Sequence, residues 1–231
     1  MSAVAPTRNG LQLLRALADK RGVPSGVHLQ VADRCNHTCQ HCYQIQGEKG
    51  EMSLDEVKAV LDDLAAQGVL QLSVSGGEAT LRRDLVDILR YARSKRFAIR
   101  LYTNAFLVDE DMADALAAVG LYEVHVSVYS DVEDEHDAVT RVPGSHRRTL
   151  AGVRAMRARA MRVVLKCPAT TLAPAGAAGV ERIARELGCS FAPGADLTPM
   201  EDGSLEPLRV AQPFEALVKA GIITPWVPSE A

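Results

Sequence analysis

The chain has 231 residues, 47% of them hydrophobic, with a formal net charge of −3 and a sequence pI near 6.1. That length and apolar content suit one good-sized domain with its own core and exclude intrinsic disorder, while the weak acidic balance excludes a nucleic-acid field. No apolar run reaches the length of a membrane span, the N-terminus lacks a signal peptide's hydrophobic stretch, and five cysteines, an odd number, suit metal ligation in a reducing cytoplasm better than a disulfide framework.

Residues 1–25 carry one short helical pattern, Leu11, Leu14 and Leu17 with Leu13 and Ala18 beside them, broken by Arg21-Gly-Val-Pro24. It is expected to be a lead-in helix covering one end of the fold. Residues 26–32 alternate in character and read as a strand. The stretch Cys35-Asn-His-Thr-Cys39-Gln-His-Cys42 follows at once. Thiols at this spacing meet only if the backbone loops around a common point. A [4Fe–4S] cluster held at three corners leaves one iron open to a small molecule. The same spacing also admits a zinc site with His37 or His41 as fourth ligand, or ordinary thiols that lie close together.

After a polar stretch, Ser53 and Glu56 form a capping box for a helix carrying Leu54, Val57, Leu61 and Leu64. Leu70, Leu72 and Val74 make a strand that runs into Gly76 and Gly77, where a backbone without Cβ atoms can approach a ligand. The unit repeats: a helix on Leu85, Ile88, Leu89 and Ala92, then a strand on Ile99 and Leu101 ending in Thr103 and Asn104. Asp109 caps the next helix, with Met112, Leu116 and Val119 inward. Val124, Val126 and Val128 then face one side of a strand and His125, Ser127 and Tyr129 the other, which suggests a lined cavity or a set of hydrogen-bonded core groups. The acidic run 131–137 reads as a solvated loop or helix start rather than a metal site. Ser145 is expected to cap a helix on Leu150, Val153 and Met156. A strand at 163–165, a helix on Val180, Ile183 and Leu187, and a last strand near 190–191 complete the alternation. Cys167 and Cys189 read as buried, unreactive thiols.

Strands and helices in this rhythm predict an α/β fold with a parallel sheet and outer helices. Six strand candidates fall short of a closed eight-stranded barrel. Beyond Pro199 the periodicity fades. Residues 200–203 read as a turn, and Phe214, Leu217 and Val218 as one short amphipathic helix. The expected division is a lead-in helix over 1–25, a core over 26–198 and a short tail over 199–231.

Four motifs in order carry a resemblance: Cys35, Cys39 and Cys42; Ser75-Gly-Gly-Glu78; Tyr102-Thr-Asn104; and Val126-Ser-Val-Tyr-Ser130 with the segment 136–145. Together they resemble the radical SAM enzymes, and in particular a peptide-modifying subgroup that often carries a SPASM extension. The resemblance implies a partial (β/α)6 TIM-like barrel, a [4Fe–4S] cluster on the three cysteines, and S-adenosylmethionine bound to the open iron through its amino and carboxylate groups. It places His41 beside the adenine, and Gly76 and Gly77 at the methionine amino group. Glu78 belongs to the same segment, with a nearby cation as its structural partner. Thr103, Asn104 and Ser127 become candidates to hydrogen-bond the cofactor, and Arg141 a candidate for its carboxylate. No adenine contact is assigned to residues 166–168, which lack the family's glycine-containing pattern. The implied activity is reductive cleavage of S-adenosylmethionine to a 5′-deoxyadenosyl radical that modifies a peptide or cofactor precursor, or a small molecule. An electron donor such as flavodoxin or ferredoxin is implied, without nucleic acid or membrane. No cysteine follows Cys189, so the tail holds no auxiliary cluster. The expectation is a short or truncated member whose open site lets cofactor cleavage run largely uncoupled from substrate turnover, with a cluster-binding truncated protein without substrate turnover as the alternative.

Overall fold

The computed structural model describes residues 22–47 and 50–224, together with 16, 18 and 20. The expected lead-in helix falls almost wholly outside the described residues. Six strands form one sheet: β1 Gly26–Ala32, β2 Gln71–Gly76, β3 Ala98–Thr103, β4 Glu123–Ser127, β5 Val163–Pro168 and β6 Ser190–Gly194. Between them run the helices α1 Leu54–Ala66, α2 Leu85–Ser94, α3 Glu110–Val119, α4 Glu133–Thr140, α5 Ser145–Ala158 and α6 Gly176–Glu186, and α7 Phe214–Lys219 comes after the sheet. All pairings are parallel and the strand order is β1-β2-β3-β4-β5-β6. A doubly wound sheet reverses its order partway. This one never does, so right-handed crossovers put the helices on one face and curl the sheet towards a barrel. The architecture is the partial (β/α)6 barrel.

Strand alternation decides what each face holds. Leu72 and Val74, Ile99 and Leu101, Val124 and Val126, and Val163 and Leu165 are buried against the helices. Their partners on the opposite, concave face are Ser73 and Ser75, Arg100 and Tyr102, His125 and Ser127, and Val164 and Lys166. Most of these are only half-buried. The barrel therefore has an apolar outer seam and a polar, open interior.

Local chemistry sets most boundaries as expected. Ser53 and Glu56 form the full capping box of α1. Asp109 accepts from Met112 N–H at 2.8 Å to start α3, and Gly120, at φ 73°, ends it in the left-handed region that glycine adopts without strain. Ser145 is a correction. It is the first residue of α5 and makes no cap. Its hydroxyl donates instead to Asp137 at 2.8 Å, and the same carboxylate accepts from His146 N–H at 2.9 Å and from Gly144 N–H. The acidic run does start a helix, α4, but its last member turns inward to cap the next one. His136 beside it is fully buried.

Burial would raise the Asp137 carboxyl, but hydrogen bonds from His146, Ser145 and Gly144 outweigh it and hold the group below the usual carboxylate range. A lowered folded value means stabilisation that is present above the ordinary carboxylate pKa and lost as pH falls through the folded one. Asp137→Asn should therefore cost about 1–2 kcal/mol at neutral pH, the size of charge-assisted hydrogen bonds replaced by neutral ones. The gap from wild type should shrink as pH drops below about 4. Urea unfolding at pH 7 and pH 3.5 checks this; an equal gap at both would mean the carboxylate charge plays no part.

Candidate active site

Residues 33–47 leave β1 without regular secondary structure, so their backbone groups must find partners elsewhere. Three elements supply them. From the end of β2, Gly77 N–H donates to Ala32 O and Glu78 N–H to Arg34 O, each at 2.8 Å. From α4, the free carbonyls at the helix C-terminus accept from the loop: Thr140 O from Thr38 N–H at 3.3 Å, Val139 O from Gln40 N–H at 3.1 Å, and Ala138 O from the Gln40 amide at 3.2 Å. From the end of β3, the Asn104 amide donates to Asn36 Oδ1 at 2.8 Å. A later segment fixes the loop's exit, where Glu201 N–H donates to Tyr43 O at 2.9 Å and its carboxylate accepts from Ile45 N–H at 3.2 Å.

The loop bounds a cavity of about 310 Å³ at the C-terminal ends of the strands. Cys35, Cys39 and Cys42 line it together with His41, Gly76, Gly77 and Glu78, and Thr103, Asn104 and Ser127 line it as well. Arg141 is the one candidate that does not. It is exposed, sits at φ 59° as the C-cap of α4, and lines a second cavity of about 500 Å³ that Cys39 and Cys42 also border. His37, weighed above as a zinc ligand, and Tyr102, from the Tyr102-Thr-Asn104 segment, also line the first cavity, as does His28, which was not among the candidates. The pattern that could have shown His28 and Tyr102 is strand alternation, which puts both on the concave face.

The geometry changes the expected reason for several residues. A Cβ on Gly77 would stand 2.5 Å from Arg34 O and 3.0 Å from Cys35 N, and one on Gly76 would stand 2.3 Å from Ala32 O. The β1 strand end and the cysteine loop pack so closely here that neither position has room for a Cβ. Glu78 is almost fully buried and, among the described residues, pairs with no cation. One carboxylate oxygen accepts from Thr80 N–H and from the hydroxyls of Thr80 and Thr103, at 2.9, 2.6 and 2.6 Å, and the other from Asn104 N–H at 2.7 Å. Thr103 thus spends its hydroxyl on Glu78. Asn104 spends its amide on Asn36 and, through its oxygen, on Phe106 N–H at 3.0 Å. These three residues place the loop. Ser127 and Tyr129 do face the cavity. Tyr129 packs edge-on to His41 with ring centroids 5.0 Å apart, and its hydroxyl lies 4.0 Å from Cys39 Sγ. His125 lies deeper, 3.1 Å from Glu123 and 4.7 Å from the Tyr102 ring.

Burial lifts the Cys35 thiol to about 11 and the Cys39 thiol to about 12, so a metal centre must displace protons to bind there. Burial also depresses His37 and His41 to about 4, leaving both imidazoles neutral. Neither completes a zinc site. His37 has both ring nitrogens enclosed by protein without a partner and packs edge-on to Phe106, while His41 abuts Tyr129. Among the described residues, no three His, Cys, Asp or Glu side chains are placed to hold a single ion. A tetrahedral zinc needs its sulfurs about 2.3 Å from one point. Three unbridged thiols spread around a common cavity fit a centre of several metal atoms instead. Cys167 is buried, with its thiol pushed up to about 12 by burial, and Cys189 packs at the edge of the core.

Gly77→Ala should therefore act on the cysteine loop first. The added methyl must push the Arg34–Cys35 peptide away, and iron uptake during anaerobic reconstitution should fall to less than half of wild type. Metal analysis and the alkylation rate of Cys35 read this directly. Normal iron loading would show that the strand end yields without moving Cys35.

The pattern that defines the Radical SAM superfamily matches residues 29–173, more than half of the chain. The PqqA peptide cyclase of Rhodopseudomonas palustris is 37% identical over 138 residues, covering 58% of this chain and 37% of the relative. The Fe-coproporphyrin III synthase of Methanosarcina barkeri is 36% identical over 144 residues, covering 61% and 35%. The chain thus spans little more than a third of the length of these curated relatives. Streptococcus suis SuiB, solved bound to its precursor peptide SuiA, superposes with a TM-score of 0.66 over 84% of this chain and 47% of SuiB; at 15% identity that likeness shows the fold alone. With the fold, the order of the motifs and the match over residues 29–173 agreeing, the chain belongs to the radical SAM superfamily.

Proposed function

We propose that this chain holds a [4Fe–4S] cluster on Cys35, Cys39 and Cys42, binds S-adenosylmethionine in the adjoining cavity, and uses the pair to activate a carbon–hydrogen bond of a peptide or cofactor precursor. The observation that carries the reading is the meeting of three unbridged thiols, two backbone-packed glycines and Ser127 around one cavity. When bound, the cluster supplies the single electron that splits S-adenosylmethionine into methionine and a 5′-deoxyadenosyl radical.

The chain's own work is to hold and to shield. Cys35, Cys39 and Cys42 would hold the cluster as thiolates, and S-adenosylmethionine would bind beside it through its amino and carboxylate groups. His41 and Tyr129 offer a neutral aromatic wall for the adenine, and Ser127 a hydroxyl beside it. Glu78, Thr103 and Asn104 act one step back, as positioning residues for the loop. Residues 196–198 line the cavity, and the segment beyond them packs back on the core, with Thr171 N–H donating to Val210 O at 2.9 Å and the Gln212 amide to Thr170 O at 3.0 Å. That cover limits the water and reductant that would quench a radical. Residues 26–198 act as the catalytic core, and the following residues as part of its lid.

The names of two relatives, a PqqA peptide cyclase and an Fe-coproporphyrin III synthase, support a peptide or cofactor precursor as the substrate class. An electron donor such as flavodoxin or ferredoxin reaches the cluster from the second cavity, where Cys39 and Cys42 approach the surface beside Arg141 and Arg209. Among the described residues no helix is long and apolar enough to cross a membrane, and all five cysteines are free thiols, as suits the cytoplasm.

Anaerobic reconstitution should load close to four irons and four sulfides per chain, the count of one cubane cluster (~4 each). Alanine at Cys35, Cys39 or Cys42 should abolish the visible absorbance, whereas Cys189→Ala should not. Dithionite and S-adenosylmethionine should then yield 5′-deoxyadenosine, read by chromatography. Tightly held zinc without iron uptake, or a loaded cluster that forms no 5′-deoxyadenosine, would overturn the reading.

A further inference from the structure

Among the described residues, Lys166 is a cation on the concave face that has neither a carboxylate partner nor a task in the function above. Strand β5 alternates buried Val163, Leu165 and Cys167 with half-buried Val164, Lys166 and Pro168, so the ammonium points into the barrel interior. In register, Lys166 stands opposite Ser127 on β4 and Ala192 on β6. Ser127 and Pro168, its neighbours across and along the sheet, both line the cavity that holds the thiols. Lys166 is thus set immediately beneath that cavity's wall.

Its surroundings contrast with those of Arg100 on the same face. Arg100 is neutralised by Glu123 at 3.0 Å, and Glu123 also takes His125 at 3.1 Å. Among the described residues no carboxylate lies within salt-bridge distance of Lys166. Asp196 lines the cavity nearby without pairing to it. Burial, with smaller contributions from Arg100 and Lys166, lowers the His125 imidazole against the opposing pull of Glu123, so it is not a rival cation at neutral pH. A half-buried ammonium, flanked by a serine hydroxyl and a neutral histidine, is a ready partner for an anionic oxygen.

We propose that Lys166, with Ser127 and His125 beside it, receives a carboxylate of the substrate, so that the enzyme selects a carboxylate-bearing peptide or precursor. This inference rests on the radical SAM reading, which also decides between the two carboxylates that could come here. On that reading the cofactor's single carboxylate would go to the open metal position and would not be available to Lys166. The carboxylate at Lys166 therefore belongs to the molecule that is modified.

The test uses the full chain without cluster, its lysines carrying ¹³C-methyl groups from reductive methylation. The Lys166 signal is identified as the one missing in Lys166→Met. N-acetyl-glutamate α-amide should shift that signal saturably, and the isosteric N-acetyl-glutamine α-amide should need roughly tenfold more for the same shift, the worth of one charge-assisted hydrogen bond. In Lys166→Arg the acid should still be preferred over the amide by equilibrium dialysis, and in Lys166→Met the preference should vanish. No saturable shift with the acid, an equal shift of every lysine, or a response to S-adenosylmethionine alone would each overturn the proposal. The loaded enzyme keeps the two readings apart. Lys166→Met should form 5′-deoxyadenosine at the wild-type rate when substrate is omitted, so failure of the carboxylate site leaves that activity standing, while failure of the radical SAM reading removes it from wild type as well.

Discussion

The structure depends on an irregular loop being held as firmly as a helix. A stretch that must aim three thiols at one cavity cannot satisfy its own backbone. Each buried N–H or C=O left unpaired costs about 1–3 kcal/mol. Here the missing partners come from Gly77 and Glu78 at the end of β2, Asn104 at the end of β3 and the exposed carbonyls at the end of α4. A helix C-terminus normally gives its last carbonyls to water or a glycine cap. α4 gives them to Thr38 and Gln40, so the position of the middle cysteine is tied to the packing of a helix that lies about a hundred residues later in the chain.

Around that anchor, Glu78 is the hub. Its carboxylate gathers four donors from two strand ends, and through Asn104 it reaches Asn36 in the loop. Buried charge of this kind is tolerated because hydrogen bonds saturate it. Asp137 does the same for the turn between α4 and α5. Two carboxylates therefore order the two sides of the loop, and neither pairs with a cation among the described residues. The sheet contributes a division of labour: apolar side chains lock the strands to the outer helices, while the concave face is left to polar groups that a ligand can address.

The sequence by itself determined the six parallel strands, the capping of α1 and α3, the three thiols and the segments that accompany them, because strand alternation, helix caps and ligand spacing are local or nearly so. It also put Ser127 and Tyr129 on one face by alternation alone. Only the tertiary structure decided why the other residues are there. Gly76 abuts Ala32 and Gly77 abuts Arg34 and Cys35, all more than forty positions upstream; Glu78 serves Thr103 and Asn104 rather than a cation among the described residues; Ser145 answers to Asp137 instead of capping its own helix; and Arg141 opens onto the outer cavity. Each of these is a contact between strand ends or helix ends distant in sequence. Neither composition nor periodicity encodes which loop a strand end will meet, because that depends on the order in which parallel strands are laid side by side and on how far the sheet curls.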